Sequence, residues 1–383
     1  MKASVLDWIR KIRGSNELKI NAKNENRYIV LISENDTSTS AYCFSAPVYN
    51  YKTKKLVDLD FHYGKRVLEG SNNTTSIHKN KIEMQNPQGV LCVMMEDNLI
   101  CGDTEKVVIG KAAIRKVELY PTLNGLLFKM KNTQQGITFR MSIDDPFLKV
   151  RANSKYFALM RQDSRPFVTA SPIGVTDISR NVISPAFVAY RRIDDINYEV
   201  SIKALEPNGK NLEFEINLYE PKLVHDTTVE SKNPAESNPY GGTAFLGKSG
   251  AFGEQWLYTR IDLTKLLSLR DKTVKRVRYF LPDLSGKTSG LTAYQTVQRF
   301  CSFGSNWKNK AAHTQNNNES TEVNGYICLD ITKFMVNPKT RLLKQSEGLI
   351  IRKKETGCTA VATGDNYHTP QVLEINFGGE SHN

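Results

Sequence analysis

The pattern of hydrophobic and polar residues changes near residue 14. Before it, Val5, Trp8, Ile9 and Ile12 recur at the spacing of one helix face, and basic residues lie mostly off that stripe. This pattern predicts a short amphipathic helix within residues 1–15. The stripe has two interpretations, since it can pack on the chain itself or dock on a partner chain or membrane surface. We take its four residues as candidate partner-binding residues.

From about residue 17 onward, apolar residues occur in short runs with the alternation of β-strands. Turn formers separate the runs, and Asn-Gly at 124–125 and 208–209 predicts hairpins there. Helical periodicity is almost absent, so the sequence predicts an all-β fold after the first helix. The predicted strands up to residue 221 are 27–33, 41–44, 90–95, 106–109, 126–130, 137–142, 187–191, 198–204 and 212–218.

The turn at 219–222 predicts a boundary between two β domains. Residues 16–221 would form a β-rich domain of one or two subdomains, and residues 222–383 a second β-sandwich. Within the second domain, segments 260–267 and 328–335 resemble each other, because each places Asp and Thr before two apolar residues. We expect each to form a short helical turn that closes an end of the sandwich.

Composition and charge exclude several classes of protein. Hydrophobic residues make up 39% of the 383 residues, which is enough for large cores. The net charge is +12, with 31 Lys and Arg against 25 Asp and Glu up to residue 221, and 21 against 15 beyond it. Each part therefore carries +6, and this even spread argues against a dedicated nucleic-acid domain. The densest basic cluster, 272–278, is predicted to be a strand with one solvated face.

The sequence contains no signal for export or for crossing a membrane. No apolar run approaches the roughly 20 residues of a transmembrane helix, and Asp7 and Arg10 interrupt the start of the chain where a signal peptide would be apolar. We therefore predict no signal peptide and no transmembrane segment, and assembly of the protein in the cytoplasm.

Metal, cofactor and phosphate chemistry has little support. The six cysteines form no C-x-x-C pair and the six histidines show no ligand spacing, so we predict buried free thiols, no metal and no cofactor. Residues 242–249 match G-x-x-x-x-G-K-S. A phosphate loop, however, follows a buried parallel strand and opens a helix, and neither flank fits that context. We predict a strand over 243–248 instead.

Aromatic residues are the most suggestive candidates for a binding site. Several in the second domain lie in or beside polar loops, where an exposed ring can stack on the apolar face of a sugar. The alternative is that they fill the core of the sandwich. The candidate glycan-binding residues are Tyr240, Trp256, Tyr294, Trp307 and Tyr367.

The second domain resembles the DNRLRE family of β-sandwich modules over about 222–378. The matching segments follow in order: 226–229, 238–242, 245–248, 258–263, 274–281, Trp307, 329–333, 348–351 and 370–375. This resemblance implies a noncatalytic, jelly-roll-like sandwich, similar to carbohydrate-binding modules, that attaches an assembly to glycans or packs as a structural module.

The sequence thus favours a noncatalytic structural or attachment protein. Its expected setting is a phage virion or another extracellular particle, with other protein chains and a cell-surface glycan as partners. One alternative is a polysaccharide lyase or glycoside hydrolase with an appended carbohydrate-binding module, for which Glu96–Asp97, Asp144–Asp145 and Asp194–Asp195 are the carboxylate pairs. Another is an intracellular scaffold without a glycan ligand.

Overall fold

We analysed a computed structural model of the chain. It describes residues 4–20, 26–35, 38–59, 67–70, 73–77, 82–86, 89–95, 107–109, 112–114, 116–131, 136–143, 145–177, 182–205, 211–286 and 290–378.

Three helical segments occur in the described residues: α1 (Val5–Arg13), a 3₁₀ helix (Leu263–Leu269) and α2 (Thr332–Met335). Helix α1 begins with a capping box, in which Ser4 Oγ accepts from the Asp7 N–H while the Asp7 carboxylate accepts from the Ser4 N–H. It ends at Gly14, whose φ of 67° is the left-handed conformation that glycine adopts without strain. The predicted N-terminal helix is confirmed.

The remaining elements are strands, which confirms the all-β class. In chain order they are β1 (Lys19–Ile20), β2 (Ile29–Asn35), β3 (Ser38–Phe44), β4 (Val67–Glu69), β5 (Thr74–Ile77), β6 (Ile82–Asn86), β7 (Gly89–Met95), β8 (Val107–Ile109), β9 (Ala112–Ile114), β10 (Lys116–Pro121), β11 (Gly125–Lys131), β12 (Ile137–Ile143), β13 (Lys149–Asn153), β14 (Tyr156–Met160), β15 (Pro166–Asp177), β16 (Val182–Ser184), β17 (Ala186–Arg192), β18 (Asn197–Ala204), β19 (Asn211–Leu218), β20 (Val224–Glu230), β21 (Thr243–Ser249), β22 (Gly253–Ile261), β23 (Val274–Pro282), β24 (Leu291–Thr296), β25 (His313–Glu319), β26 (Thr321–Val323), β27 (Tyr326–Asp330), β28 (Leu349–Lys353), β29 (Cys358–Ala362) and β30 (Val372–Phe377).

One sandwich, which we call the inserted sandwich, consists of residues 67–218. Its first sheet has the strand order β10-β11-β19-β15-β14-β13, and its second has the order β17-β18-β12-β7-β6-β5-β4. A single apolar core lies between the two sheets, with the stacked rings of Phe128, Phe139 and Phe214 near its centre.

The other sandwich, the host sandwich, combines both ends of the chain. Its first sheet has the order β1-β2-β3-β30-β23-β27-β26, so strands from residues 19–44 pair with strands from residues 274–377. Its second sheet has the order β25-β24-β28-β22-β21-β29, with β20 also paired to β22. The core between the sheets includes Ile29, Ala41, Leu257, Ile351 and Ile375.

This connectivity corrects the predicted domain organisation. The boundary expected at 221/222 assigned residues 16–221 to one domain, but β2 and β3 belong to the host sandwich. Residues 67–218 are therefore an insertion between β3 and β20. The long-range pairing of β3 with β30 has no local sequence signal. A sandwich is present as expected, while its jelly-roll-like topology stays a prediction.

The candidate partner-binding stripe is also corrected. Val5, Trp8, Ile9 and Ile12 are at most 6% exposed, because they pack on the face of the first host sheet that points away from its core. The ring of Trp8 lies 6.0 Å from that of Phe44. Docking on the chain itself therefore buries the stripe and leaves it unavailable to a partner.

Several local predictions can be checked directly. The G-x-x-x-x-G-K-S segment forms strand β21, as predicted, and the Asn-Gly at 124–125 connects the hairpin β10–β11. The second predicted hairpin is wrong: residues 206–210 lie outside the described residues, but the strands on either side, β18 and β19, belong to different sheets.

Cys43 and Cys328 are buried free thiols, whereas Cys301 is exposed.

The two segments with similar sequences form the predicted short helical turns. Asp262 Oδ1 accepts from the N–H and hydroxyl of Thr264 at 3.1 and 2.7 Å, and Asp330 Oδ1 accepts from those of Thr332 at 3.0 and 2.6 Å. The helical turns that follow place Leu266 and Phe334, among others, in the host core. Leu267 differs from the expectation, because its side chain is 62% exposed.

Candidate binding face

An aromatic and cationic surface lies on the second sheet of the host sandwich, on the side that points away from the core. We call it the aromatic face and define it by Trp256, Tyr294, Trp307, Lys310, His313 and Arg352. Alternation along the strands produces it. In β22, Leu257 enters the core while Trp256 and Tyr258 point outward, and in β28 Ile351 enters the core while Arg352 points outward.

The strand register brings these outward residues together. Tyr294 lies opposite Ile350 in β28 and opposite Asn317 in β25, and Tyr258 also lies opposite Ile350. Arg352 lies two residues after Ile350, so its side chain lies on the same side of the sheet, beside the rings of Tyr294 and Trp256. Its guanidinium carbon is 4.4 Å from the ring centroid of Tyr294 and 5.1 Å from that of Trp256.

A polar loop, residues 297–312, folds over part of the face. Phe300 and Ala311 are buried against the sheet, and the Phe300 ring meets that of Tyr258 edge-on at 5.5 Å. Turns built on Asn306 and Asn309, together with a hydrogen bond from Lys308 N–H to Pro234 O, fix the loop where it carries Trp307.

The two tryptophans form a wedge. Their ring centroids are 5.0 Å apart and the ring planes are inclined by 58°. Both rings are half-buried, and the indole N–H of Trp256 donates to Glu254 Oε1 at 2.7 Å. This arrangement holds one indole in place while part of each ring stays accessible to solvent.

Two cations border the wedge, and neither forms an ion pair with a carboxylate of the described residues. Lys310 Nζ lies 3.7 Å from the ring centroid of Trp307 and 4.8 Å from that of Trp256. Within the described part of the chain, Lys310 and Arg352 have ring contacts but no ion pair, and Arg352 Nε is buried without a hydrogen-bond partner. Rings attract these cations through their negative faces, but they do not neutralise the charge.

The edge strand β25 adds amide groups beside the rings. Its sequence from 315 to 318 is Gln-Asn-Asn-Asn, and Asn317 lies next to Tyr294 on the aromatic face. His313, at the start of this strand, lies 4.7 Å from the Tyr294 ring. Amides both donate and accept hydrogen bonds, so the face offers apolar rings, cations and neutral polar groups within one surface.

The structure groups three of the five candidate aromatic residues and separates the other two. Trp256, Tyr294 and Trp307 belong to the aromatic face, although Tyr294 is only 4% exposed. Tyr240 and Tyr367 are corrected as binding residues, because they are 2% and 1% exposed and lie where the two sandwiches meet. They pack there as core residues, which was the alternative interpretation.

Sequence reasoning missed Lys310, His313 and Arg352. Arg352 follows two isoleucines in a strand, and strand alternation alone places it on the face opposite Ile351. No comparable signal marked Lys310, since its position depends on how the loop folds back onto the sheet.

A cleft between the two sandwiches is a second concave feature, with about 330 Å³ of empty space that includes its open mouth. Lys155 reaches into it from the turn before β14, with Nζ 3.4 Å from Glu230 Oε2 and 4.0 Å from the Phe252 ring centroid. Burial lowers the pKa of this amine. Lys155 therefore ties the inserted sandwich to the host sandwich.

The structure gives little support to the other candidate sites, which are the carboxylate pairs, the basic strand and a metal site. Asp194 and Asp195 lie in the exposed turn between β17 and β18, and Asp195 pairs with Arg192 at 2.6 Å. The other two carboxylate pairs lie wholly or partly outside the described residues. The basic strand β23 pairs Arg276 with Asp330 and Arg278 with Glu374. In the described ranges no three His, Cys, Asp or Glu residues are grouped as metal ligands would be.

No family model matches the chain, and a search of curated proteins finds no match. Among the described helices, none is long and apolar enough to cross a membrane.

Proposed function

We propose that this protein is a noncatalytic attachment component of a larger assembly, such as a phage virion or another extracellular particle, and that the aromatic face binds a glycan. The observation that carries the proposal is the Trp256–Trp307 wedge, bordered by Lys310 and Arg352. The resemblance of residues 222–378 to the DNRLRE family supports the same role.

The chemistry of the face suits a saccharide. The C–H face of a pyranose packs on an indole ring, and the ring hydroxyls then meet polar neighbours. Asn317 and the other amides of β25 supply donors and acceptors beside Tyr294. Strand pairing holds Trp256 and Tyr294 in place, so little conformational entropy is lost when a ligand orders them.

The charge of the face favours an acidic saccharide. Lys310 and Arg352 have no carboxylate partner in the described residues. A uronate or sulfate group placed between them would supply the missing negative charge and accept hydrogen bonds from Arg352. We therefore expect acidic glycans to bind more tightly than neutral glycans of the same length.

Calorimetry with an oligogalacturonate and its uncharged methyl ester tests the proposal. Trp307→Ala should weaken binding of the acid form at least about tenfold, or about 1.4 kcal/mol. Tyr51→Ala is the matched control, because Tyr51 is also exposed beside two cations, Arg27 and Lys54, but no second ring among the described residues contacts it. It should bind like the wild type.

The other outcomes separate the alternatives. Absence of binding to a broad panel of glycans would contradict the proposal and favour a scaffold without a glycan ligand. Release of shortened or unsaturated sugars by the purified protein would favour the lyase or hydrolase.

A further inference from the structure

A buried lysine and a buried aspartate meet beside the junction of the two sandwiches. Lys222 lies in the segment that leaves β19 for β20, and Asp365 lies in the loop between β29 and β30. Lys222 Nζ is 2.6 Å from Asp365 Oδ2, and the two side chains are 4% and 2% exposed. This is the most buried ion pair between described residues.

A second carboxyl group stands next to this pair. Asp226, in β20, is 2% exposed, and its Oδ2 accepts the Gly364 N–H at 2.5 Å, directly before Asp365 in the chain. Burial, and then the charge of Asp365, raises the pKa of Asp226 to about 7. Asp226 therefore holds a proton far more readily than an exposed aspartate does.

The surroundings exclude water and place the Asp226 carboxyl group beside the reacting pair. The ring centroid of Tyr240 lies 6.0 Å from Lys222 Nζ, and Tyr367 is 1% exposed close by. Asp365 Oδ1 is buried, and among the described residues no N–H group or hydroxyl donates to it, while the carboxyl groups of Asp226 and Asp365 interact with each other. The amine is thus held against the Asp365 carboxyl group, with the Asp226 carboxyl group as its neighbour.

We propose that Lys222 and Asp365 join in an intramolecular isopeptide bond, formed between Lys222 Nζ and Asp365 Cγ with loss of one water molecule. This inference is independent of glycan binding, because none of its residues belongs to the aromatic face.

The reaction is balanced without a cofactor. Burial lowers the pKa of the Lys222 amine, but the Asp365 and Asp226 carboxyl groups raise it above its ordinary value, and burial raises the pKa of Asp365. In its charged form the pair is an ammonium and a carboxylate. A proton first moves from Nζ to the Asp365 carboxylate, which removes both buried charges. The neutral amine then attacks Cγ, one C–O bond of Asp365 breaks, and that oxygen leaves as water with two protons, one from the amine and one from the acid.

Asp226 is the group that we expect to carry protons during these steps. Its carboxylic acid can donate to the departing oxygen and take up the proton that the attacking nitrogen loses, so it ends as it began. Fixed proximity supplies the remaining acceleration, because effective concentrations in well-aligned intramolecular reactions reach roughly 10⁵ M or more.

The bond would connect distant parts of the fold. Lys222 and Asp365 are 143 positions apart in the chain, and the cross-link would close a loop containing all of the host strands from β20 to β29. Cross-links across long loops restrict the unfolded chain most in the chain-entropy description. An attachment protein under tension would gain resistance to unfolding from such a bond.

Intact-mass spectrometry of the purified full-length chain tests the proposal. We expect the wild-type mass to be lower than the sequence mass by one water. Tandem spectra should show a branched peptide joining the segments of Lys222 and Asp365, with no tryptic cleavage after Lys222. Lys222→Arg keeps the charge but cannot form the amide, and Asp365→Ala removes the carboxyl carbon, so both should have their full sequence masses.

Two further variants and an internal control sharpen the test. Asp226→Asn keeps both reacting groups, and it should slow bond formation and flatten its dependence on pH. Asp365→Asn should lose ammonia and give the same cross-linked product. The Lys129–Glu213 pair is the internal control, since its atoms are 2.7 Å apart but its side chains are 28% and 16% exposed. It should remain uncoupled.

Clear results would overturn the inference. A folded wild-type protein with its full sequence mass would do so even if every variant failed to fold. A water loss that persists in Lys222→Arg would also do so, because it would come from cyclisation of an aspartate rather than from a cross-link.

Discussion

Ala41 in β3 lies directly opposite Ile375 in β30, although the two residues come from opposite ends of the chain. Both side chains are buried in the core of the host sandwich. The first host sheet is therefore incomplete without residues from both ends, so a fragment that lacks either end cannot form the whole sheet.

A fragment of residues 222–383 should lack a cooperative unfolding transition. It contains β30 but not β3, so an interior strand would become an edge and the core would lose Ile29 and Ala41. Thermal melting followed by circular dichroism measures this. Residues 67–218, which contain a whole sandwich with its own core, should melt cooperatively. The opposite pair of results would contradict the insertion.

Substitution of the helix stripe should affect stability rather than association. Ile9 is fully buried against the host sheet, so Ile9→Ala should lower the free energy of unfolding by roughly 2–5 kcal/mol. Lys11→Ala, on the exposed side of α1, is the control. Urea unfolding gives the energies, and light scattering gives the mass. A change in mass with unaltered stability would restore the partner-binding interpretation.

The two helical turns of the host sandwich should be similarly sensitive to loss of the aspartate before each of them. Asp262 caps the 3₁₀ helix, and Asp330 closes a turn on Thr332 before α2. Asp262→Ala and Asp330→Ala each remove an acceptor for a Thr N–H and hydroxyl, and each should cost about 1 kcal/mol. Asp195→Ala is the comparison, because this side chain is 93% exposed and its loss should change the unfolding energy by less than about 0.5 kcal/mol. Equal effects for all three would argue against this role of Asp262 and Asp330.

Protonation of His225 should destabilise the protein in acid. Burial, and then the positive charge of Lys222 while its amine is free, lowers the pKa of His225 from 6.5 to about 4. Between these values the unfolded chain binds a proton that the folded chain does not, so this contribution to stability is lost as the pH falls from about 6.5 to about 4. His225→Gln should remove that loss of stability. The loss is less than about 3 kcal/mol, because the side chain of His225 is 32% exposed and solvent screens its charge. Denaturant melts at pH 7 and pH 4.5 test it, and a His225→Gln variant with the wild-type pH dependence would contradict it.

The cations of the aromatic face should control both the affinity for acidic saccharides and its salt dependence. Lys310→Ala with Arg352→Met removes both charges, while methionine keeps part of the stem that packs beside Tyr294. We expect weaker binding of the oligogalacturonate and a smaller further loss in high salt. Binding of the methyl ester should change less. An equal loss for both ligands would mean that the rings, rather than the charges, were disturbed.

Local features of this fold are determined by short stretches of sequence. The run predicted at 137–142 is strand Ile137–Ile143, and the similar Asp–Thr segments form helical turns with the same Asp–Thr hydrogen bonds. These elements depend on alternation and on hydrogen bonds between residues two positions apart, so a short window of sequence contains the necessary information.

Features that depend on distant partners could not be predicted in the same way. Nothing in the sequence around Ala41 indicates that it pairs with Ile375. The burial of Tyr240 and Tyr367 results from packing between the two sandwiches. Trp307 was identified because it is an aromatic residue within a polar loop, whereas Lys310, which lies beside the wedge, resembles any other surface lysine in the sequence.

The insertion of one sandwich within another also determines the order in which the two cores can form during translation. Residues 67–218 emerge from the ribosome as a complete unit and can bury their own core at once. Strands β2 and β3 are made before the inserted sandwich, but their partner β30 is translated after it. During that interval their apolar residues have no final partner, so we expect these strands to be the part of the nascent chain most exposed to aggregation.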